Sequence, residues 1–194
     1  MTKDRQSYHV RRAVAEDVPL LPNIERVAAS LFKTYPGDLG LTDEHYEKVS
    51  PVETFAEAKQ GGRLWVATSA SGHIVGFARV HELSGYAHLD ELDVLPSHGR
   101  QGVGSALLAA VCSWARESGY PAVSLRTFRD VPWNGPFYRS RGFHVVEGAR
   151  LSTRHLELEA SERLRGLRTD LRVTMAYNTA GSPPHAVDAR DDRS

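Results

Sequence analysis

Glu91-Leu92-Asp93-Val94-Leu95-Pro96-Ser97-His98-Gly99-Arg100-Gln101-Gly102-Val103-Gly104-Ser105-Ala106-Leu107-Leu108 is the stretch on which the reading of this chain turns. An extended run stops at Pro96, a short polar loop carries Arg100 and Gln101, and two glycines open an apolar helix. Backbone NH groups around Gly102 and Gly104, at the positive end of a helix, suit a pyrophosphate. A nucleotide P-loop requires Gly-Lys-Ser/Thr, and Gly104-Ser105-Ala106 lacks the lysine. A dinucleotide fingerprint requires a small residue where Leu107 stands and an acidic residue after the next strand, and both conditions fail.

Upstream of the loop, His9 to Ala13 reads as a strand. Glu16-Asp17 opens a helix with Ile24, Val27, Ala28 and Leu31 in phase and Pro22 as a break or a start. Residues 33–50 read mostly as loop, and Ser50-Pro51 as the N-cap and first position of a helix to about Gln60. Leu64 to Thr68 and Ile74 to His81 form a hairpin around residues 69–72, followed by a strand from Tyr86 to Val94.

Downstream, Val103, Ala106, Leu107, Ala110, Val111 and Trp114 give the stripe of a long helix ended by Gly119. Then come a strand at Ala122 to Thr127 and a short helix at Pro136 to Arg141. A strand from Phe143, a helix at Thr153 to Leu167 and a closing strand at Arg172 to Tyr177 complete the order. A meander followed by strand-helix-strand predicts a mixed α/β fold with helices on both faces of the sheet. Residues 1–178 read as one domain and 179–194, polar with Ser-Pro-Pro, as a disordered tail.

Acidic and basic residues balance at 24 each, which gives no basis for nucleic-acid or anionic-membrane binding. The single cysteine, Cys112, excludes an internal disulfide and suits a reducing compartment. No window approaches the roughly 18 apolar residues of a membrane helix, and the N-terminus has no apolar signal core. A cytoplasmic protein is expected.

Two acid–base groups stand close to the loop. Alternation puts His88, Asp90, Leu92 and Val94 on one strand face, with His88 and Asp90 about 7 Å apart. A histidine of ordinary pKa about 6.5 suits a base near neutrality, and an aspartate suits an anchor for a cation. Glu91 is a third candidate. A metal site from His88, Asp90 and Asp93 is disfavoured because Asp93 lies on the opposite face. Cys112, Trp65, Trp114 and Trp133 read as packing residues, and Arg126 and Arg129 as cofactor contacts or surface.

With these motifs in this order, the chain resembles the GNAT superfamily of acetyl-CoA-dependent N-acetyltransferases from about His9 to Val146. The resemblance implies a central mixed β-sheet flanked by helices on both faces. Leu92, Asp93 and Val94 would lie along the pantetheine arm, and Arg100, Gln101, Gly102, Val103, Gly104 and Ser105 at the diphosphate. Gly99 stands where the family carries arginine or glutamine, which shifts weight from side chains to backbone amides. Tyr138 matches the family's general acid, and Asn134 falls three residues after its usual asparagine, where Val131 stands.

Gly135-Pro136-Phe137-Tyr138-Arg139-Ser140-Arg141-Gly142-Phe143-His144 is similar to the arylalkylamine N-acetyltransferases, which have a histidine pair where this chain has His88 and Asp90. The implied reaction is direct attack of a small-molecule primary amine on acetyl-CoA. His88 would be the base, Asp90 the anchor or alternate base, and Tyr138 the acid, with no metal. A protein lysine or N-terminal acetyltransferase and a non-catalytic acyl-CoA-binding regulator are the alternatives. The amine, the acyl chain length and the oligomeric state, a homodimer included, are left open.

Overall fold

The computed structural model describes residues 7–180; of the predicted tail, 179–194, Thr179 is buried with its amide bonded to Pro121 O at 3.1 Å, and residues from 181 lie outside the described residues. The chain divides into two compact units interleaved in sequence. Among the described residues, one takes 7–36, 42–81 and 89–111; the other takes 37–41, 82–88 and 112–180.

The first unit holds β1 (His9–Arg12), α1 (Leu21–Ala29), α2 (Asp43–Glu47), α3 (Val52–Gln60), β2 (Leu64–Thr68) and most of β3 (Ile74–Leu83). β1 pairs antiparallel with β2, Arg12 opposite Trp65, and β2 with β3, Trp65 opposite Ala78. Its core is Val18, Leu21, Ile24, Phe55, Leu64, Val66 and Phe77, with Phe55 edge-on to Phe77 at 5.3 Å. Trp65 is buried as expected, and the Arg12 guanidinium lies 4.0 Å over its ring.

Three local departures from expectation have physical causes. Asp17 opens a 3-10 helix rather than the α-helix itself. Its carboxylate accepts two bonds from Arg11, at 2.6 and 3.0 Å, and one from the Val14 amide at 2.8 Å. A 3-10 turn at Val18–Leu20 follows, and α1 starts with Pro22 in its first turn, where a missing N–H costs nothing. Ser50 does not cap α3, because its amide and hydroxyl both donate to Glu25 at 3.1 Å; Pro51 takes the N-cap position. Residues 33–50 include α2, which is started by a capping box between Thr42 and His45.

The second unit holds β5 (Ala122–Phe128), α5 (Gly135–Arg139), β6 (His144–Val146), α6 (Thr153–Leu164) and β7 (Arg172–Asn178). Its strands run in the order β5-β7-β6, antiparallel throughout, with Met175 opposite both Leu125 and Val145. Val123, Leu125, Phe128, Phe143, Val173 and Met175 are buried there. β4 (Tyr86–Val94) gives its first three residues to this unit and the rest to the first unit. α4 (Val103–Glu117) gives residues 103–111 to the first and the remainder to the second. α4 stops where Gly119 takes φ +80°, and the Tyr120 amide bonds back to Ala115 O at 2.9 Å.

Candidate active site

In the first unit the end of β4 is fastened to β3. Leu95 N donates to Val75 O at 2.8 Å, and a 3-10 turn at Pro96–His98 reverses the chain. β3 runs so close that a Cβ on Gly76 would stand 2.5 Å from the Asp93 carbonyl and 3.2 Å from Val94 Cα. Arg100 and Gly102 then take positive φ, 59° and 90°. The left-handed conformation at a non-glycine residue costs on the order of 1 kcal/mol and marks a loop held in one shape.

Gln101 supplies part of that hold. Its Oε1 accepts from Tyr8 Oη at 2.6 Å and its Nε2 donates to Ser97 O at 3.1 Å, so this side chain braces the loop. Tyr8 Oη also meets His98 Nδ1 at 3.1 Å. Arg100 is exposed, and Val103 is buried and anchors the start of α4. The first bond of the helix runs from Ala106 N to Gly102 O at 3.0 Å, so the amides of Gly102, Val103 and Gly104 precede the helical ladder. A 15-residue helix behind them adds its dipole. Amides ahead of the ladder at the positive end of a helix dipole suit a diphosphate.

Beside this loop the first unit gathers carboxylates. Asp90 Oδ2 takes both Nε and Nη2 of Arg79, at 2.9 and 2.6 Å, and Oδ1 lies 3.8 Å from His81 Nδ1. The Arg79 guanidinium also lies 4.8 Å over the Phe55 ring. Burial first, then Asp93, Asp90 and Glu25, push the Glu91 carboxyl well above its usual range. Burial and Glu25 push Asp93 up to about 8 against the pull of Arg79, and its Oδ2 is buried with no hydrogen-bond partner among the described residues. Glu25 is raised by burial too, against the donors of Ser50. Strand alternation separates Asp90 from Glu91 and Asp93, yet Arg79 and Glu25 act electrostatically on both Glu91 and Asp93.

In the second unit His88 is 4% exposed, with Nδ1 2.9 Å from Ser124 Oγ. The ring of His155, from α6, packs against it at 6.0 Å. His155 is 1% exposed and its Nδ1 lies 2.7 Å from Ser152 Oγ, the N-cap of α6. Tyr138 is buried between the rings of Phe137 and Phe143, at 5.1 and 5.6 Å. Asn134 is the N-cap of α5, its carbonyl accepting from Tyr138 N at 3.0 Å, and its Oδ1 is buried without a partner among the described residues. Gly135 has to be glycine because a Cβ there would collide with the Arg129 carbonyl.

Arg126 is neither at the surface nor beyond a strand end. It lies within β5, where Glu162, Glu159 and Thr174 take its donors at 2.8, 3.4 and 3.0 Å. Arg129 is an exposed residue 3.8 Å from Glu147. Cys112 is half-buried and its thiol is pushed up to about 12, which removes it as a nucleophile at neutral pH. No group of three metal-ligating side chains occurs among the described residues. No helix among them is long and apolar enough to cross a membrane.

Sequence reasoning did not find Ser124 and His155 as neighbours of His88, nor Arg79 and Glu25 as neighbours of the β4 carboxylates. The spacing of His155 and Glu162, two turns apart on one helical face, was the available signal for α6.

The sequence profile of the Acetyltransferase (GNAT) family matches residues 25–143. The chain belongs to that family. Solved structures agree in fold. PaiA N-acetyltransferase from Thermoplasma acidophilum, in complex with coenzyme A, superposes with a TM-score of 0.65 at 16% identity, covering 89% of this chain and 99% of that one. The ribosomal-protein-S18-alanine N-acetyltransferase from Escherichia coli gives 0.60 at 19% identity, with 91% and 97% covered. Nourseothricin acetyltransferase gives 0.58 at 23% identity, with 89% and 98% covered. The GNAT chain described here is therefore a mixed α/β acetyltransferase that uses acetyl-CoA as co-substrate.

Proposed function

We propose that this GNAT enzyme acetylates the primary amine of a small cationic molecule by direct transfer. The observation that carries the reading is the braced loop at Arg100–Ser105, with two positive-φ residues ahead of the amides that open α4. Amides of Gly102, Val103, Gly104 and Ser105 would hold the diphosphate, with the exposed Arg100 as a counter-charge and Gln101 keeping the loop in shape. Backbone groups of Leu92 and Val94, flanking Asp93, would align the pantetheine arm. Acetyl-CoA supplies the thioester, and holding it in line with an amine accounts for much of the acceleration.

An amine in water is an ammonium and has to lose a proton before it attacks. His88 is the proposed base: with Nδ1–H donating to Ser124, its Nε2 is the nitrogen that takes the proton. Asp90, neutralised by Arg79, acts in this reading as a fixed dipole beside the acceptor. Tyr138 Oη returns a proton to the departing thiolate, and Asn134 lies one turn before it to meet the coenzyme arm. The unreactive Cys112 fits a route without an acetyl-enzyme. The likeness of residues 135–144 to arylalkylamine enzymes supports a small acceptor.

Two measurements test this. Calorimetric titration with coenzyme A should give binding that Gly102→Val weakens at least tenfold; undiminished affinity would remove the loop from the site. Thiol release from acetyl-CoA over arylalkylamines, polyamines, amino acids and peptides should show turnover on a small amine, lowered at least 100-fold in His88→Ala. Turnover on peptides alone would favour a protein acceptor, and tight binding without turnover on any amine would make the chain a regulator.

A further inference from the structure

We propose that α6 is a releasable cover over His88, docked by titratable side chains, whose lifting admits the acceptor amine. The inference rests on His88 being the base. α6 is inserted between β6 and β7, and its buried side chains are His155 and Glu162. Of its three leucines, Leu156 and Leu164 are 52% and 90% exposed and only Leu158 is half-buried. A 12-residue helix is marginal by itself and ordinarily stays on a sheet by burying an apolar stripe. Here the attachment is ionic. Glu162 takes Arg126 Nε at 2.8 Å and Arg172 Nη2 at 2.9 Å, and Glu159 takes Arg126 Nη1 at 3.4 Å.

Buried ion pairs hold little net free energy because desolvation offsets attraction. Three buried donors or acceptors at this contact, Arg126 Nη2, Arg172 Nε and His155 Nε2, have no hydrogen-bond partner among the described residues. Such a helix opens at a cost well below that of the strands beneath it.

The groups around His155 set the condition for opening. His88 and Tyr86 face it from β4. Arg126 acts on it from β5, while Glu159 and Glu162 of α6 itself are already engaged by Arg126 and by Arg172 of β7. A proton on His155 would put a second cation beside Arg126 with the carboxylates spoken for. Burial and Arg126 accordingly hold His155 below its ordinary pKa. The docked helix requires neutral His155, and acid favours release.

Hydrogen exchange on the full chain tests the cover, with β5 and β7 as internal references and intrinsic rates corrected for pH. Residues 153–164 should exchange at least tenfold faster relative to the strands at pH 5.5 than at pH 7.5. The acceleration should vanish in His155→Leu. At pH 7.5, Glu162→Gln should loosen the helix and make carbethoxylation of His88 at least fivefold faster. A helix as protected as β5 and β7 at both pH values, with His88 equally unreactive in Glu162→Gln, would overturn the proposal. None of these readouts needs turnover. Release of α6 alongside full activity in His88→Ala would keep the movement of the helix and remove the base.

Discussion

α3 and α6 are helices of similar length attached by opposite chemistry. α3 in the first unit buries Phe55 and Ala58, with Phe55 fully enclosed against Phe77. α6 in the second unit buries His155 and Glu162 and leaves two leucines to solvent. Apolar burial contributes about 1.5–3 kcal/mol per large side chain and is indifferent to pH. Ionic docking contributes less and depends on which groups carry protons. The difference separates a helix that is part of the foundation from one that can be conditional.

The largest expected effect is at α3. Phe55→Ala should lower the unfolding free energy by about 3–5 kcal/mol in chemical denaturation, by the same amount at pH 5.5 and 7.5. A pH-dependent loss would break the contrast. Next, Glu162→Ala strands Arg126 and Arg172 in a buried setting and should cost about 3 kcal/mol at pH 7.5.

Asp93 sharpens the contrast, since it is a buried carboxyl without the cation partners that Glu162 has. The unfolded chain ionises it near 4, while the folded chain keeps the proton until about 8, so folding stability falls as pH rises across that window. Asp93→Asn should therefore match wild type at pH 4 and gain on the order of 1–3 kcal/mol at pH 8. The smallest effect belongs to His155. Its lowered pKa means that wild type loses stability as pH falls below about 6.5, whereas His155→Leu should not. The two denaturation curves should diverge by about 1 kcal/mol at pH 5.5.

The run from Tyr86 to Gly119 was legible because each local signal agreed: alternation in β4, glycines at the turn, a regular stripe in α4 and a glycine stop. The hairpin of β2 and β3 was legible for the same reason. Ser50 misled because a capping residue will leave its helix for a carboxylate, and Glu25 stands 25 positions away in sequence. α2 was hidden because its cap uses His45 where a capping box usually has Glu or Gln. Arg126 gave no sign of burial, since its partners come from α6 and from β7, the strand paired with β5. Glu91 read as a third candidate base and Asp93 as a neighbour of the pantetheine arm; the enclosure that raises both carboxyls, and the part played by Glu25, are not local.

Gly76 sets a tolerance on chemistry it never touches. Only a hydrogen fits between β3 and the Asp93 carbonyl, so the far end of β4 rests on its neighbour like a beam on a thin shim. Thickening that shim to a methyl would tip Leu92 and Val94 by a fraction of an ångström to an ångström. Misplacement on that scale costs about a hundredfold in rate where alignment supplies the acceleration. Under the proposed alignment of the pantetheine arm on Leu92 and Val94, a position with no functional group would thus have as strong a claim on the reaction rate as the proposed base and acid.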